Sequence, residues 1–156
     1  GVGIVALIGL IPCLWLHIKR SPSEGFWAAA WMTSTLFAYI HAGNGGENWV
    51  GIFDAGMVGY LFCVSVRVTG SLWWAVGYHA AWDWAQTFFL GTPDSGHVAT
   101  DHFLTSTPAG PTLLSGGAAG PEGSLLSIVV LSIAMAGLLL ARRRQLSLQP
   151  TPPGDV

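Results

Sequence analysis

Five stretches of the chain stay apolar for 17 to 20 residues at a time: 2–18, 26–42, 49–66, 71–90 and 124–141. A hydrocarbon core about 30 Å thick is crossed by roughly 17–25 residues of helix. Within lipid the backbone must satisfy its own N–H and C=O groups, which leaves the helix as the spanning form for segments of this kind. The expected fold class is therefore all-α, a polytopic transmembrane helix bundle with about five spanning helices. Composition excludes the soluble alternative: only 9% of the 156 residues are charged, against about 25% in ordinary soluble domains. The 21 glycines and 8 tryptophans suit close helix packing and interfacial belts in a bilayer.

Pro12 is expected to kink the first helix, because it removes a backbone donor and crowds the preceding turn. The connection RVTG is short enough to make the third and fourth helices antiparallel neighbours. Residues 91–123 read as a long loop rich in Gly, Pro, Ser and Thr, and residues 145–156 as a disordered tail. Cys13 and Cys63 both lie in apolar stretches, where a thiol behaves as a small hydrophobe.

The charges support this topology. If the five helices alternate, Lys19, Arg20, Arg67, Arg142, Arg143 and Arg144 all fall on one side. The positive-inside rule assigns that side to the cytoplasm, along with the tail, and puts the 91–123 loop on the other side. The expected partner from composition and charge is the bilayer, and not nucleic acid.

Four ionisable residues sit inside the apolar segments: His41, Asp54, His79 and Asp83. A charge at the centre of a spanning helix costs roughly 2.5–3.5 kcal/mol on insertion scales, so such residues face the bundle interior and mark function. His79 and Asp83, at i and i+4, share one helix face. They can ligate a metal, share a water or hydrogen-bond one another. Asp54 reads as a hydrogen-bonding partner for a neighbouring helix. His97, Asp101 and His102 in GHVATDH read as members of a solvated loop. His41 ends the second helix at the same depth as Asp83, so the two can meet in the half of the bundle away from the basic side.

The motifs around these residues resemble the CPBP intramembrane metalloprotease family, which includes the type II CAAX prenyl proteases and the bacteriocin-processing or self-immunity proteins. The F-x-x-x-H motif stands as Phe37-Ala-Tyr-Ile-His41, followed by AGN; the H-x-x-x-N/D motif stands as His79-Ala-Ala-Trp-Asp83. The linker TGSLW joins them in the family's order, and TPDSG and LLSGGAAGPEGSLL are similar to a bacterial branch, whose setting is the inner membrane. The resemblance implies a helix bundle around a polar cavity and peptide-bond hydrolysis in or beside the membrane, on a membrane-associated peptide or protein. It implies catalytic and metal-ligating roles for His41, His79 and Asp83. Imidazole and carboxylate are ordinary zinc ligands, and bound Zn²⁺ brings the pKa of water to about 7. The expected cofactor is thus a divalent metal, Zn²⁺ first. Alternatively, imidazolium could stabilise a developing oxyanion.

The family's E-E-x-x-x-R motif belongs on the helix before F-x-x-x-H, where its first glutamate serves as general base. Residues 1–18 contain no glutamate, and Glu24 falls in the SPSEG loop on the side opposite His41. Such a chain is expected to be a truncated, frameshifted or inactive member. The alternative is a non-catalytic membrane protein that binds a hydrophobic or lipidated peptide; axial haem ligation by the histidines is a third reading. A cavity away from the cytoplasm also differs from the cytosolic tails on which CAAX proteases act.

Overall fold

A computed structural model describes residues 22–148. The expected first helix over 2–18, with Pro12 and Cys13, and the tail from residue 149 lie outside the described residues. Helix α1 spans Pro22–His41, α2 Trp49–Thr69 and α3 Trp73–Asp83, the last running directly into a π-helical segment, Trp84–Leu90. A long connection follows, with one short helix, α4 (Thr112–Ser115), and two 3₁₀ turns, Gly117–Ala119 and Pro121–Gly123. Helix α5, Leu125–Ser147, closes the described chain. Among the described residues there is no strand, only an isolated bridge between Asp94 and His97. The fold class is all-α, as the apolar segments require.

Helix α2 is the centre. Its start is set by Asn48, whose side-chain oxygen accepts from Val50 N (2.8 Å) and Gly51 N (3.1 Å), satisfying two of the donors a helix leaves free at its N-terminus. Its end is set by Gly70 at φ 71°, whose N–H returns to Val66 O; only glycine adopts that left-handed turn freely. Helix α1 packs antiparallel along it. A Cβ on Gly59 would stand 3.2 Å from Ser34 Cα, and one on Gly56 would stand 3.4 Å from Ala38 Cβ. These small residues bring the two helices together as membrane helices require, where packing rather than the hydrophobic effect drives association. Cys63 is a free thiol at this seam, its Sγ 3.9 Å from Thr33 Oγ1.

Helix α3 returns antiparallel to α2 across the three-residue turn at 70–72, with Phe62 against Tyr78 at 6.0 Å between ring centroids. Helix α5 runs parallel to α2 and is tied to it at both ends. Ser127 Oγ donates to Asp54 Oδ2 (2.9 Å), and Arg142 donates to Arg67 O (2.8 Å). The Arg67 guanidinium also stands 6.0 Å over the Phe26 ring near the start of α1. Among the described residues, then, Arg67 and Arg142–Arg144 gather at one end of the bundle. The C-terminal ends of α1 and α3 and the N-terminal ends of α2 and α5 meet at the other.

Among the described residues two helices, Trp49–Thr69 and Leu125–Ser147, are long and apolar enough to cross a membrane, with mean hydropathies of 1.6 and 2.3. Large apolar side chains face outward along the bundle, among them Trp31, Phe53, Val76, Ile133 and Leu140. Exposed apolar surface of this extent is what lipid covers, and it marks the chain as a membrane protein.

Three regions differ from expectation in more than a few terminal residues. The fourth apolar segment is not one α-helix, since it changes to π geometry immediately after Asp83. Helix α5 continues through the three arginines to Ser147, three residues into the expected tail. The third difference is in the 91–123 loop, which folds back over the helix ends. Gly96 (φ 80°) lies against the Gly45 carbonyl and Gly120 (φ 98°) against Pro93 O, contacts that any Cβ would close off.

Candidate active-site cleft

The cleft lies where the four helix ends converge, beneath the folded-back loop. Helix α2 presents Gly51, Asp54, Ala55, Val58 and Phe62 to it, spaced at three and four residues so that they fall on one face. Helix α1 adds Phe37 and His41, and α3 adds Tyr78, His79, Trp82 and Asp83. The inner cavity measures about 50 Å³, room for a few water molecules. An outer vestibule of about 400 Å³ opens onto it, sharing His41, His79, Asp83, Asp94 and Ser95 and adding Thr87, His97 and Val98.

All three expected site residues line this cleft. His79 Nε2 stands 3.5 Å from Asp83 Oδ1, and both side chains are about half exposed, at 47% and 46%. The i,i+4 pair is thus open to a ligand. His41 is on the facing wall, with its Nδ1 at 2.8 Å from Phe37 O and its ring 4.3 Å from that of Phe37. Phe37 stands between the histidines, its ring centroid 6.4 Å from that of His79. Asp54 is 2% exposed and, as its sequence position implied, bonds to a neighbouring helix through Ser127.

His97 is exposed in the loop, as expected, and the folded-back connection carries it to the rim of the vestibule. Asp101 and His102 do not line either space. His102 is tied within its own loop, to Ala99 O and Thr105 Oγ1, each at 3.0 Å. Glu24 lies in the first turn of α1 rather than in a loop, because the helix already starts at Pro22; it is seventeen residues before His41, or about 25 Å of helix at 1.5 Å per residue.

The sequence reading missed three carboxylates. Glu47, Asp94 and Glu122 line the cleft with the two histidines, so acidic groups do face His41 and His79. Glu47 sits just ahead of α2, its Oε1 accepting from Asn48 N at 3.0 Å. Gly51 makes room for it, since a Cβ there would collide with the Glu47 carboxylate. Glu122 sits in the turn before α5, where its carboxylate accepts from Ser95 N. Both lie at helix N-termini, where the helix dipole favours negative charge. Burial nonetheless pushes the Glu47 carboxyl above its usual range; Glu122 nearby adds to this, while the Asn48 N–H and His41 oppose it. Burial, the charges of Glu122 and Asp83, and a hydrogen bond with Glu122 push Asp94 up to about 7. A signal was available, because the loops on the side without Lys or Arg contain Glu47, Asp94, Asp101 and Glu122.

His41, His79 and Asp83 are zinc-type donors by chemistry. As placed they do not fit one ion, for among the described residues no three His, Cys, Asp or Glu side chains come together as a metal site.

Comparison with known proteins agrees with the motifs. The family model described as type II CAAX prenyl endopeptidase Rce1-like matches residues 8–85, which include His41, His79 and Asp83. No curated protein and no solved structure matches the chain. With half of its length matched, and with the motif histidines of two helices lining one cleft, the chain belongs to the type II CAAX prenyl endopeptidase Rce1-like family.

Proposed function

We propose that this cleft hydrolyses a peptide bond of a membrane-associated peptide, with His41, His79 and Asp83 as its reacting groups. Family membership supports a CAAX-type intramembrane protease-like function. The observation that carries the reading further is the convergence of two histidines from separate helices with several carboxyl groups on one small polar cavity. Asp83, with its Oδ1 3.5 Å from Nε2, orients the His79 ring. A ring N–H of His79 can hydrogen-bond the oxyanion that forms when water attacks the scissile carbonyl. Glu47, whose charge interacts with that of His41, is assigned the base that takes the proton from that water. Its raised pKa brings it nearer to the working pH, which is where a general base is most effective. The proton then passes to the leaving amine, and His41 is the group on that wall able to hand it over.

A divalent metal on His41, His79 and Asp83 is a separate proposal, and no step above runs through it. The contact of His41 Nδ1 with the Phe37 carbonyl leaves Nε2 for the ion, and the proposal is tested by the metal content of the purified chain. Zinc bound at one equivalent and lost in His79→Ala supports it; equal content in both proteins removes it.

The second reading, a peptide-binding protein without activity, is favoured by the absence of glutamate from residues 1–18. One experiment separates the two. The chain is reconstituted in proteoliposomes with membrane-anchored peptides, prenylated and unprenylated, and products are read by mass spectrometry. Cleavage abolished by His79→Ala establishes the peptidase. Saturable binding without product, in a chain that folds, leaves the non-catalytic reading.

A further inference from the structure

The cleft contains more carboxyl groups than hydrolysis uses. Asp54, Asp94 and Glu122 line it in addition to Glu47 and Asp83, while the described arginines stand at the opposite end of the bundle, with Arg142 bonded to Arg67. Two imidazoles face five carboxyl groups there, and burial pushes Glu47 up and Asp94 up to about 7, with no Lys or Arg beside them among the described residues. Of these, Asp54 is the most deeply set: it is 2% exposed, Oδ2 accepts from Ser127, and Oδ1 meets no hydrogen-bond partner among the described residues. A buried carboxylate oxygen without a donor is unfavourable, and the nearby carboxylates of Glu122 and Glu47 make it more so. The arrangement is matched by a bound cation.

We propose that Asp54, Asp94 and Glu122, converging from α2 and from the two ends of the 91–123 loop, form a subsite for the ammonium group of a lysine side chain in the peptide substrate. The proposal rests on the reading of the cleft as a peptide site and gives it a substrate preference. An ammonium is a compact charge with three donors and no acceptor, one donor for each carboxylate. It tolerates carboxylates spread around a cavity, whereas a metal ion needs them gathered at ligand distance, which no three donors among the described residues achieve. A cavity of about 50 Å³ admits such a head group.

The test uses the full chain in lipid nanodiscs and a set of fluorescent amphiphilic peptides. Each carries one lysine at successive positions and is paired with the same peptide bearing norleucine there; Kd is read by anisotropy. At one position lysine should bind at least about tenfold more tightly than norleucine, the size of a charge-assisted hydrogen bond. That preference should shrink below about threefold in Glu122→Gln, which keeps an acceptor for Ser95 N. Asp54→Asn should act likewise, but it also alters the α2–α5 contact, so Glu122→Gln is the deciding variant. Equal binding of lysine and norleucine peptides at every position overturns the subsite, as does a preference unchanged in Glu122→Gln. Magnesium or zinc binding at one equivalent that erases the preference and disappears in Glu122→Gln overturns it in favour of an inorganic ion. A lysine preference without cleavage retains the subsite and refutes hydrolysis. Cleavage without any preference does the reverse.

Discussion

His79 and Asp83 are half exposed and bonded weakly to each other, so neither is needed to hold the bundle together. His79→Ala and His41→Ala are therefore expected to leave yield and helicity unchanged. Each should lower peptide cleavage by about 10²–10⁴-fold, the usual contribution of a positioned acid or base. Cleavage within threefold of wild type in either variant, read on the same peptides, removes that histidine from the mechanism. Asp94 gives a pH prediction. Its carboxyl moves from 3.8 to about 7 on folding, so between those values the folded chain binds more protons than the unfolded one. Stability from this group is therefore greatest below pH 3.8 and falls as pH rises toward 7. Asp94→Asn keeps a donor toward Glu122 without titrating. Its thermal midpoint should match wild type near pH 4 and exceed it at pH 8. A midpoint difference that does not change with pH excludes this account.

Asn48 links two elements. Its oxygen caps α2, while its Nδ2 donates to Gly116 O and Gly123 O, both at 3.2 Å. One side chain thus fixes the start of the central helix and the loop that delivers Glu122. Asn48→Ser retains the cap and loses the loop bonds, and Asn48→Ala loses both. The alanine variant is expected to lose about 0.5–2 kcal/mol more than the serine variant, the usual value of an N-cap, measured by denaturant titration in mixed micelles. Equal losses in the two would show that the cap contributes nothing here. The π-helical segment after Asp83 works at the same level. It leads into Gly91 and the turn where Gln86 Nε2 donates to Pro93 O (3.1 Å), which sets Asp94 at the mouth of the cleft. Irregular turns of this type recur at functional sites.

Across the bundle, charge separates by end, with arginines at one and the acidic cleft at the other. We propose that the arginine end is cytoplasmic, in a bacterial inner membrane, as the positive-inside rule directs. An Arg144→Cys variant on a background with Cys13 and Cys63 replaced by alanine should react with an impermeant maleimide in inverted vesicles and not in right-side-out ones. The opposite labelling pattern would place the cleft on the cytosolic side, with the tails on which CAAX proteases act.

The helical, membrane-spanning character was legible in the chain because apolar length and scarcity of charge act segment by segment, without regard to neighbours. The i,i+4 pairing of His79 with Asp83 and the meeting of His41 with them followed from helix geometry and alternating topology, which are also local rules. The loops were not legible in this way. Glu47, Asp94, His97 and Glu122 reach the cleft only because backbones pack closely at Gly96 and Gly120 and because Asn48 ties residues 68 and 75 positions away. Periodicity carries no record of such contacts. For the same reason the lack of glutamate in residues 1–18 could be read from the sequence, while tertiary folding decided which of the acidic loop residues face the histidines.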